Sequence, residues 1–310
     1  MIYRSLGTTG LSVSVVGLGC SHLGTQRRAR TRAELVRLLE HAVDRGVTFF
    51  DTADVYMAGE SERLLGDVLA SHRGRVVVAT KVGLCSRLPE AVVAHARPYL
   101  WSLMRRATTG SGLLRQVRGW LRRADYSANY LRAAVEASLT RLRMDRIDLL
   151  QLHSPTPAAL DRDGALETLE RLAAEGKIRF FGLAFAMAAQ AQRAVRGGGF
   201  STLQVPVSRS APAAIDDLLA WAQKRAIGVI ANQPLRGGAL LLHGREASAR
   251  HGEQSTLAQA AIRFVASLPT VSTVIVGTTN TAHLDESIAA LDRPPLTHHG
   301  LMSMQGENRR

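Results

Sequence analysis

Short runs rich in β-branched residues alternate with amphipathic stretches along most of this chain, and that rhythm constrains the fold more than any other property of the sequence. Strands are expected at Val13–Leu18, Val47–Phe50, Val76–Thr80, Ile147–Leu152, Ile178–Leu183, Thr202–Pro206, Gly228–Ala231 and Thr273–Val276. Helical patterns fall near Thr31–Asp44, Ser61–Ala70, Ala128–Arg143, Pro157–Ala174, Ala186–Ala194, Ala211–Lys224, Thr256–Ser267 and Ala282–Leu291. Strand–helix alternation favours a parallel sheet, and eight such units are what a closed (β/α)8 barrel requires. An open, doubly wound sheet is the alternative. However, "GLGCSHLG" after the first strand lacks the G-x-G-x-x-G spacing that such a sheet uses for a dinucleotide. No internal repeat of fixed period is present.

Two segments stand outside the rhythm. "YRSLGTTGLSV" reads as a short hairpin turning at Gly7 to Gly10. Between Gly83 and Asp125 the chain spends about forty residues where a few would connect a strand to a helix. The expected fold class is therefore α/β, a (β/α)8 TIM barrel with an N-terminal β-hairpin and a long helical insertion after the third strand. Residues 1–310 are expected to form one barrel domain, with the insertion 86–125 as a lid.

A chain of 310 residues suits one large barrel or two ordinary domains. The start lacks a basic segment followed by an apolar one, and no apolar run reaches the roughly 18 residues of a membrane span, so a cytoplasmic protein is expected. Two cysteines, Cys20 and Cys85, argue against a disulfide framework or a structural zinc site, and no metal is expected. The net charge of +13 raises the question of an anionic partner. Arginine supplies nearly all of it, lysine occurring only at Lys81, Lys177 and Lys224, a bias that genome composition alone can produce.

In a barrel, functional groups gather at the C-terminal ends of the strands. Reading those ends gives Asp51 after the second strand, Lys81 after "VVVAT" and His153 after "IDLLQL", with Tyr56 just beyond Asp51. Each has an ordinary explanation alone, as a turn cap, a snorkelling lysine or a rim histidine; the set together is harder to explain that way.

These pieces resemble the aldo-keto reductase superfamily over nearly the whole chain. The likeness is carried by "YRSLGTTGLSVSVVGLG", "FFDTADVYMAGESERLLG", "ATKVG", "VEASLTRLRMDRIDLLQLHSP", "LAAEGKIRFFGLA" and "VIVGTTNTAHLDESIAAL". The resemblance implies that Asp51, Tyr56, Lys81 and His153 are a catalytic tetrad. The chemistry asks for such residues. Carbonyl reduction needs a proton donor, and a phenol of pKa near 10 is a reluctant one. An adjacent ammonium favours the phenolate and a carboxylate anchors that ammonium, while a histidine orients the carbonyl oxygen.

For the cofactor, the resemblance places Gln204 at the nicotinamide amide. The family's Ser-Asn pair for that amide is Ala184 and Phe185 here, and its stacking aromatic is Asn232. "GTTN", Gly277, Thr278, Thr279 and Asn280, precedes a helix whose N-terminus suits a phosphate. The resemblance further implies His283 at the position of an arginine for the 2′-phosphate, Glu286 at the adenine, and Leu235 in the same cofactor set. NADPH is favoured over NADH. The implied activity is NAD(P)H-dependent reduction of an aldehyde or ketone, a small-molecule carbonyl substrate. The alternative is a cofactor-binding regulatory or partner-binding subunit on the same barrel. No nucleic-acid motif is present. Within the insertion, Leu113, Leu114, Val117, Trp120 and Leu121 would share one helix face, and eight arginines stand against Glu90 and Asp125, so this segment is also where an acidic partner could bind.

Overall fold

The computed structural model describes residues 1–24, 31–86, 122–161, 164–195, 198–208, 214–236 and 256–294. Twelve strands run through these residues. The first two, β1 (Tyr3–Ser5) and β2 (Ser12–Ser14), pair antiparallel. The barrel is built from β3 (Val16–Gly19), β4 (Phe49–Asp51), β5 (Val77–Val82), β8 (Ile147–His153), β9 (Ile178–Ala184), β10 (Thr202–Pro206), β11 (Gly228–Asn232) and β12 (Val271–Val276). These eight are parallel and close in the order β3-β4-β5-β8-β9-β10-β11-β12, with β12 returning to β3. The expected (β/α)8 architecture is the one observed.

Alternation along each strand sorts side chains into two layers. Leu18, Phe50, Val78, Leu150, Leu152, Leu183, Leu203 and Val274 face outward into the main core, shared with the helices. Phe49, Val77, Ala79, Leu149, Ile230 and Ile275 face inward and meet Leu6, Leu11 and Val13 of the N-terminal hairpin, which plugs the bottom of the barrel. The plug depends on a close backbone approach: at Gly7, whose φ is +55°, a Cβ would lie 2.3 Å from the Gly228 nitrogen.

The helices among the described residues are α1 (Arg32–Asp44), α2 (Glu60–Leu69), α3 (Ala128–Leu142), α4 (Pro157–Asp161), α5 (Ala165–Ala174), α6 (Ala188–Ala194), α7 (Ala214–Lys224), α8 (Leu257–Ser267) and α9 (Thr281–Ala289). Their starts are locally encoded. Thr31 with Glu34, and Thr256 with Gln259, form reciprocal capping boxes, and Ser127 and Asn280 cap α3 and α9 with their side chains.

Two expectations need correction. The single strand Val13–Leu18 is really β2 and β3, because the Val15 N–H donates to the Ile2 carbonyl and the chain there passes from the plug to the barrel wall. The single helix Pro157–Ala174 is α4 and α5, the latter starting after Gly164, whose left-handed backbone (φ 63°) cannot continue a helix. The long connection leaves β5 as a ribbon, β6 (Leu84–Ser86) paired antiparallel with β7 (Arg122–Ala124). Residues 87–121, including the expected amphipathic helix at Leu113–Leu121, lie outside the described residues.

Candidate active site

The parallel strands deliver Asp51, Lys81 and His153 to the same end of the barrel, all on inward-facing positions. Asp51 is the last residue of β4 and His153 the last of β8, with Lys81 one short of the end of β5. Lys81 and Asp51 are buried, and the Lys81 ammonium donates to Asp51 Oδ1 at 2.6 Å and to the Thr52 carbonyl at 2.8 Å. Burial works against this ammonium, but the charges of Asp51 and Tyr56, with hydrogen bonds to both, outweigh it and hold the Lys81 pKa above its ordinary value.

Tyr56 reaches the same spot from the loop after β4. Lys81 Nζ lies 5.1 Å from the centre of its ring, and the His153 ring meets it edge-on with centroids 6.1 Å apart. A short 3-10 turn, Tyr56–Gly59, turns the chain here, with Met57, Ala58 and Gly59 all left-handed (φ 53°, 56° and 78°) before α2 begins. Two non-glycine residues in that region cost about 1–2 kcal/mol each. The loop is held from behind: Ser61 Oγ donates to the Cys20 carbonyl at 2.9 Å and lies 2.8 Å from Thr52 Oγ1.

Sequence reasoning passed over several polar residues around this site. Gln151, on the inward face of β8, donates its amide to Gln204 Oε1 at 2.9 Å, and Gln204 Nε2 donates to Asp51 Oδ2 at 3.3 Å. Tyr126 donates to the carbonyls of His153 and Ser154 at 2.9 and 3.0 Å, pinning the root of the ribbon to the end of β8. Behind Lys81, the fully buried Glu62 accepts from Thr80 Oγ1 and Arg141 Nε, each at 2.6 Å.

Asp54 is a further case. Its N–H donates to the Lys81 carbonyl at 3.1 Å, and Tyr130 donates to its Oδ2 at 3.4 Å. Burial, reinforced by the charge of Glu62, pushes its carboxyl up to about 7, against Arg141 and hydrogen bonds from Val55 and Tyr130. An acid whose folded pKa is raised keeps its proton after the unfolded chain has lost its own. Stability from this group is therefore present below about pH 4 and lost as pH rises from there toward about 7. Asp54→Asn should raise the melting temperature at pH 8 and change it little at pH 4; thermal scans across that range giving parallel curves for the two proteins would refute the assignment.

The positions expected to hold a cofactor are distributed around the same end of the barrel and on α9. Gln204 is buried on β10, and Leu235 is half-buried in the turn after β11. Ala184 lies beside His153 in register and is buried, whereas Phe185 packs in the outer layer. At the end of β11, Asn232 Oδ1 is buried with no hydrogen-bond partner among the described residues. On the far side, Asn280 Oδ1 accepts from the Ala282 N–H at 3.0 Å, and Thr278 braces Asn280. His283 is exposed on α9, while Glu286 accepts from Thr256 Oγ1. No group of three or more metal-ligating side chains occurs among the described residues, and none of the described helices is long and apolar enough to cross a membrane. A cavity of about 420 Å³ lined by Leu65, Val76, Leu142, Arg146 and Asp148 lies instead toward the opposite end of the strands.

Comparison with known proteins decides the family. The model of the aldo/keto reductase family matches residues 15–305.

The chain belongs to the aldo/keto reductase family.

It is 26% identical over 330 residues to the uncharacterized oxidoreductase YqkF of Bacillus subtilis (strain 168), covering 99% of this chain and 96% of that protein. Among solved structures, the aldo-keto reductase AKR11C1 of Bacillus halodurans in its holo form superposes with a TM-score of 0.77 at 24% identity, covering 99% of this chain and 96% of that one. An aldo-keto reductase of Klebsiella pneumoniae in complex with NADPH gives a TM-score of 0.71 at 25% identity, covering 99% and 95%. This aldo/keto reductase therefore resembles these relatives over almost its full length.

Proposed function

We propose that this protein reduces an aldehyde or ketone with NADPH, Tyr56 delivering the proton to the carbonyl oxygen. That it is an NAD(P)H-dependent oxidoreductase follows from its family, and the Klebsiella relative is described as an NADPH complex. The observation that carries the reading is the buried Asp51–Lys81 pair set against the Tyr56 ring, with His153 edge-on to it.

The cofactor, when bound, supplies the hydride. Ala184 presents only a methyl group where the nicotinamide would lie, and Asn232 Oδ1 offers a buried acceptor that a carboxamide N–H would satisfy. Gln204 keeps one further amide hydrogen for the same ring. Leu235 would pack against the dinucleotide, Gly277 to Asn280 would meet phosphate, and His283 and Glu286 the adenosine end. Among the chain's own residues, Lys81 stabilises negative charge on the phenol as its proton leaves, Asp51 keeps Lys81 charged and in place, and His153 orients the carbonyl oxygen. Residues 86–125 belong to the same proposal as a cover over the substrate; its support is the ribbon β6–β7, which leaves the strand that carries Lys81.

Fluorescence titration should show NADPH bound more tightly than NADH, with affinity weaker by about 1–2 kcal/mol than in a relative that keeps the Ser-Asn pair. Tighter NADH binding would overturn the preference. Steady-state oxidation of NADPH with a panel of reactive aldehydes tests the activity itself, and binding without turnover would favour a regulatory subunit.

A further inference from the structure

We infer that Gln151 is a positioning residue for proton delivery: through Gln204 it fixes the side of Asp51 that faces away from Lys81. This rests on the reading of Asp51, Lys81 and Tyr56 as the proton-delivering set, and it extends that set to Gln151, a residue inside the motif "IDLLQL" to which the motif gives no role.

The polarity of the chain of contacts is dictated from one end. Asp51 gives Oδ1 to the Lys81 ammonium. Its Oδ2 can only accept, so the Gln204 atom facing it at 3.3 Å has to be the amide nitrogen. Gln204 Oε1 then points the other way and needs a donor, which Gln151 Nε2 supplies at 2.9 Å. All four side chains are buried, Gln151 completely. Gln151 lies across from Lys81 in the β5–β8 register, one inward position below His153, so it is under the site floor and out of reach of a substrate.

The cost of this arrangement is visible. Gln151 Oε1 is buried with no hydrogen-bond partner among the described residues, an unfavourable state for an amide oxygen. The neighbouring position on β9 is Gly182, which adds no polar group. A glutamine that leaves half its amide unsatisfied in order to hold a second glutamine is readily understood if the orientation of that second amide matters. Were Gln204 to turn over, its oxygen would face the Asp51 carboxylate. Asp51 would lose a hydrogen bond that draws off part of its charge, would neutralise Lys81 more fully, and Lys81 would then support less negative charge on Tyr56.

Two variants test this. Gln151→Met keeps the length and removes the donor. Gln151→Glu can donate while protonated but only accepts once ionised. Position 151 meets Lys81 of β5 in register, the neutral Gly182 of β9 and the neutral Gln204 of β10, and the other titratable groups of the site are Asp51, which it reaches through Gln204, and Tyr56 and His153. Proteins labelled with carbon-13 at the tyrosine Cζ, with the Tyr56 signal assigned through Tyr56→Phe, report the ionisation of Tyr56 without cofactor or turnover. The expected result is that Gln151→Met moves this titration to higher pH by about half a unit or more and lowers kcat roughly tenfold, with KM for the carbonyl within about twofold. Gln151→Glu should follow wild type at low pH and lose activity as the introduced carboxyl ionises, a limb that wild type lacks. Variants that lose thermal stability but keep the wild-type Tyr56 titration and pH profile would show a structural role only and overturn the inference. If Gln151→Met fails to fold, Gln151→Glu decides alone, its missing limb counting against the inference. Wild-type protein that oxidises no NADPH with any carbonyl would instead count against the proposed function, because the Tyr56 titration still reads the linkage.

Discussion

Tyr56→Phe is expected to lower kcat for carbonyl reduction by about 10²–10⁴-fold, the range by which a positioned general acid accelerates such a step. The ring itself should stay where it is, since its backbone N–H is fixed to the Ala53 carbonyl at 3.0 Å and the turn Tyr56–Gly59 does not depend on the phenol oxygen. NADPH affinity measured by fluorescence quenching should therefore remain within a few-fold of wild type, and the deficit should appear in kcat rather than in cofactor binding. Turnover within a factor of a few of wild type would remove Tyr56 from the reaction and leave the proton to come from elsewhere at the mouth.

The largest expected loss of stability comes from Arg141→Met. Glu62 is fully buried, and Arg141 is the cation that meets its Oε2, while Thr80 satisfies Oε1. Removing the guanidinium strands an ionised carboxylate between α2, α3 and β5, where breaking a buried pair typically costs about 3–5 kcal/mol. Urea unfolding should show this as a lower midpoint with an unchanged slope. The double variant Glu62→Gln, Arg141→Met should recover part of the loss, because a neutral amide can keep the Thr80 contact without a charge to compensate. A single variant as stable as wild type would mean that Glu62 takes up a proton or another partner at little cost. The pair also has a bearing on the site: Thr80, which it holds, immediately precedes Lys81 on β5.

Local features of the fold were legible in the residues. Capping boxes at Thr31 and Thr256 mark helix starts because threonine and a glutamate or glutamine three residues on satisfy each other's backbone partners within one turn. The β-branched runs mark strands, and strands that all point one way must bring their C-terminal ends together, so Asp51, Lys81 and His153 could be picked out as a set before any coordinates. The errors have physical causes too. Val13 to Leu18 reads as one β-rich run in which Ser14 is the single polar residue, and nothing local shows that the chain changes sheets at Val15. Gly164 breaks the helical pattern of 157–174 through a left-handed backbone, which one glycine in a polar stretch does not announce.

What the sequence by itself determined is the period of the chain, the identity of the groups at its strand ends, and through its ordered motifs the family. What only the tertiary structure decided is how those groups are oriented. Gln151, Tyr126, Asp54 and Arg141 belong to four different parts of the chain, and each acquires its meaning from a partner at least 27 residues away, apart from Asp54, which depends on the burial that the fold imposes. Phe185 stands where the family has a residue for the nicotinamide amide, and the alternation that runs through β9 turns it outward. Strand periodicity is a one-dimensional property and can be read from residue order. Hydrogen-bond direction, desolvation and the face a side chain presents depend on which strands become neighbours when the sheet closes, and only closure of the barrel fixes that.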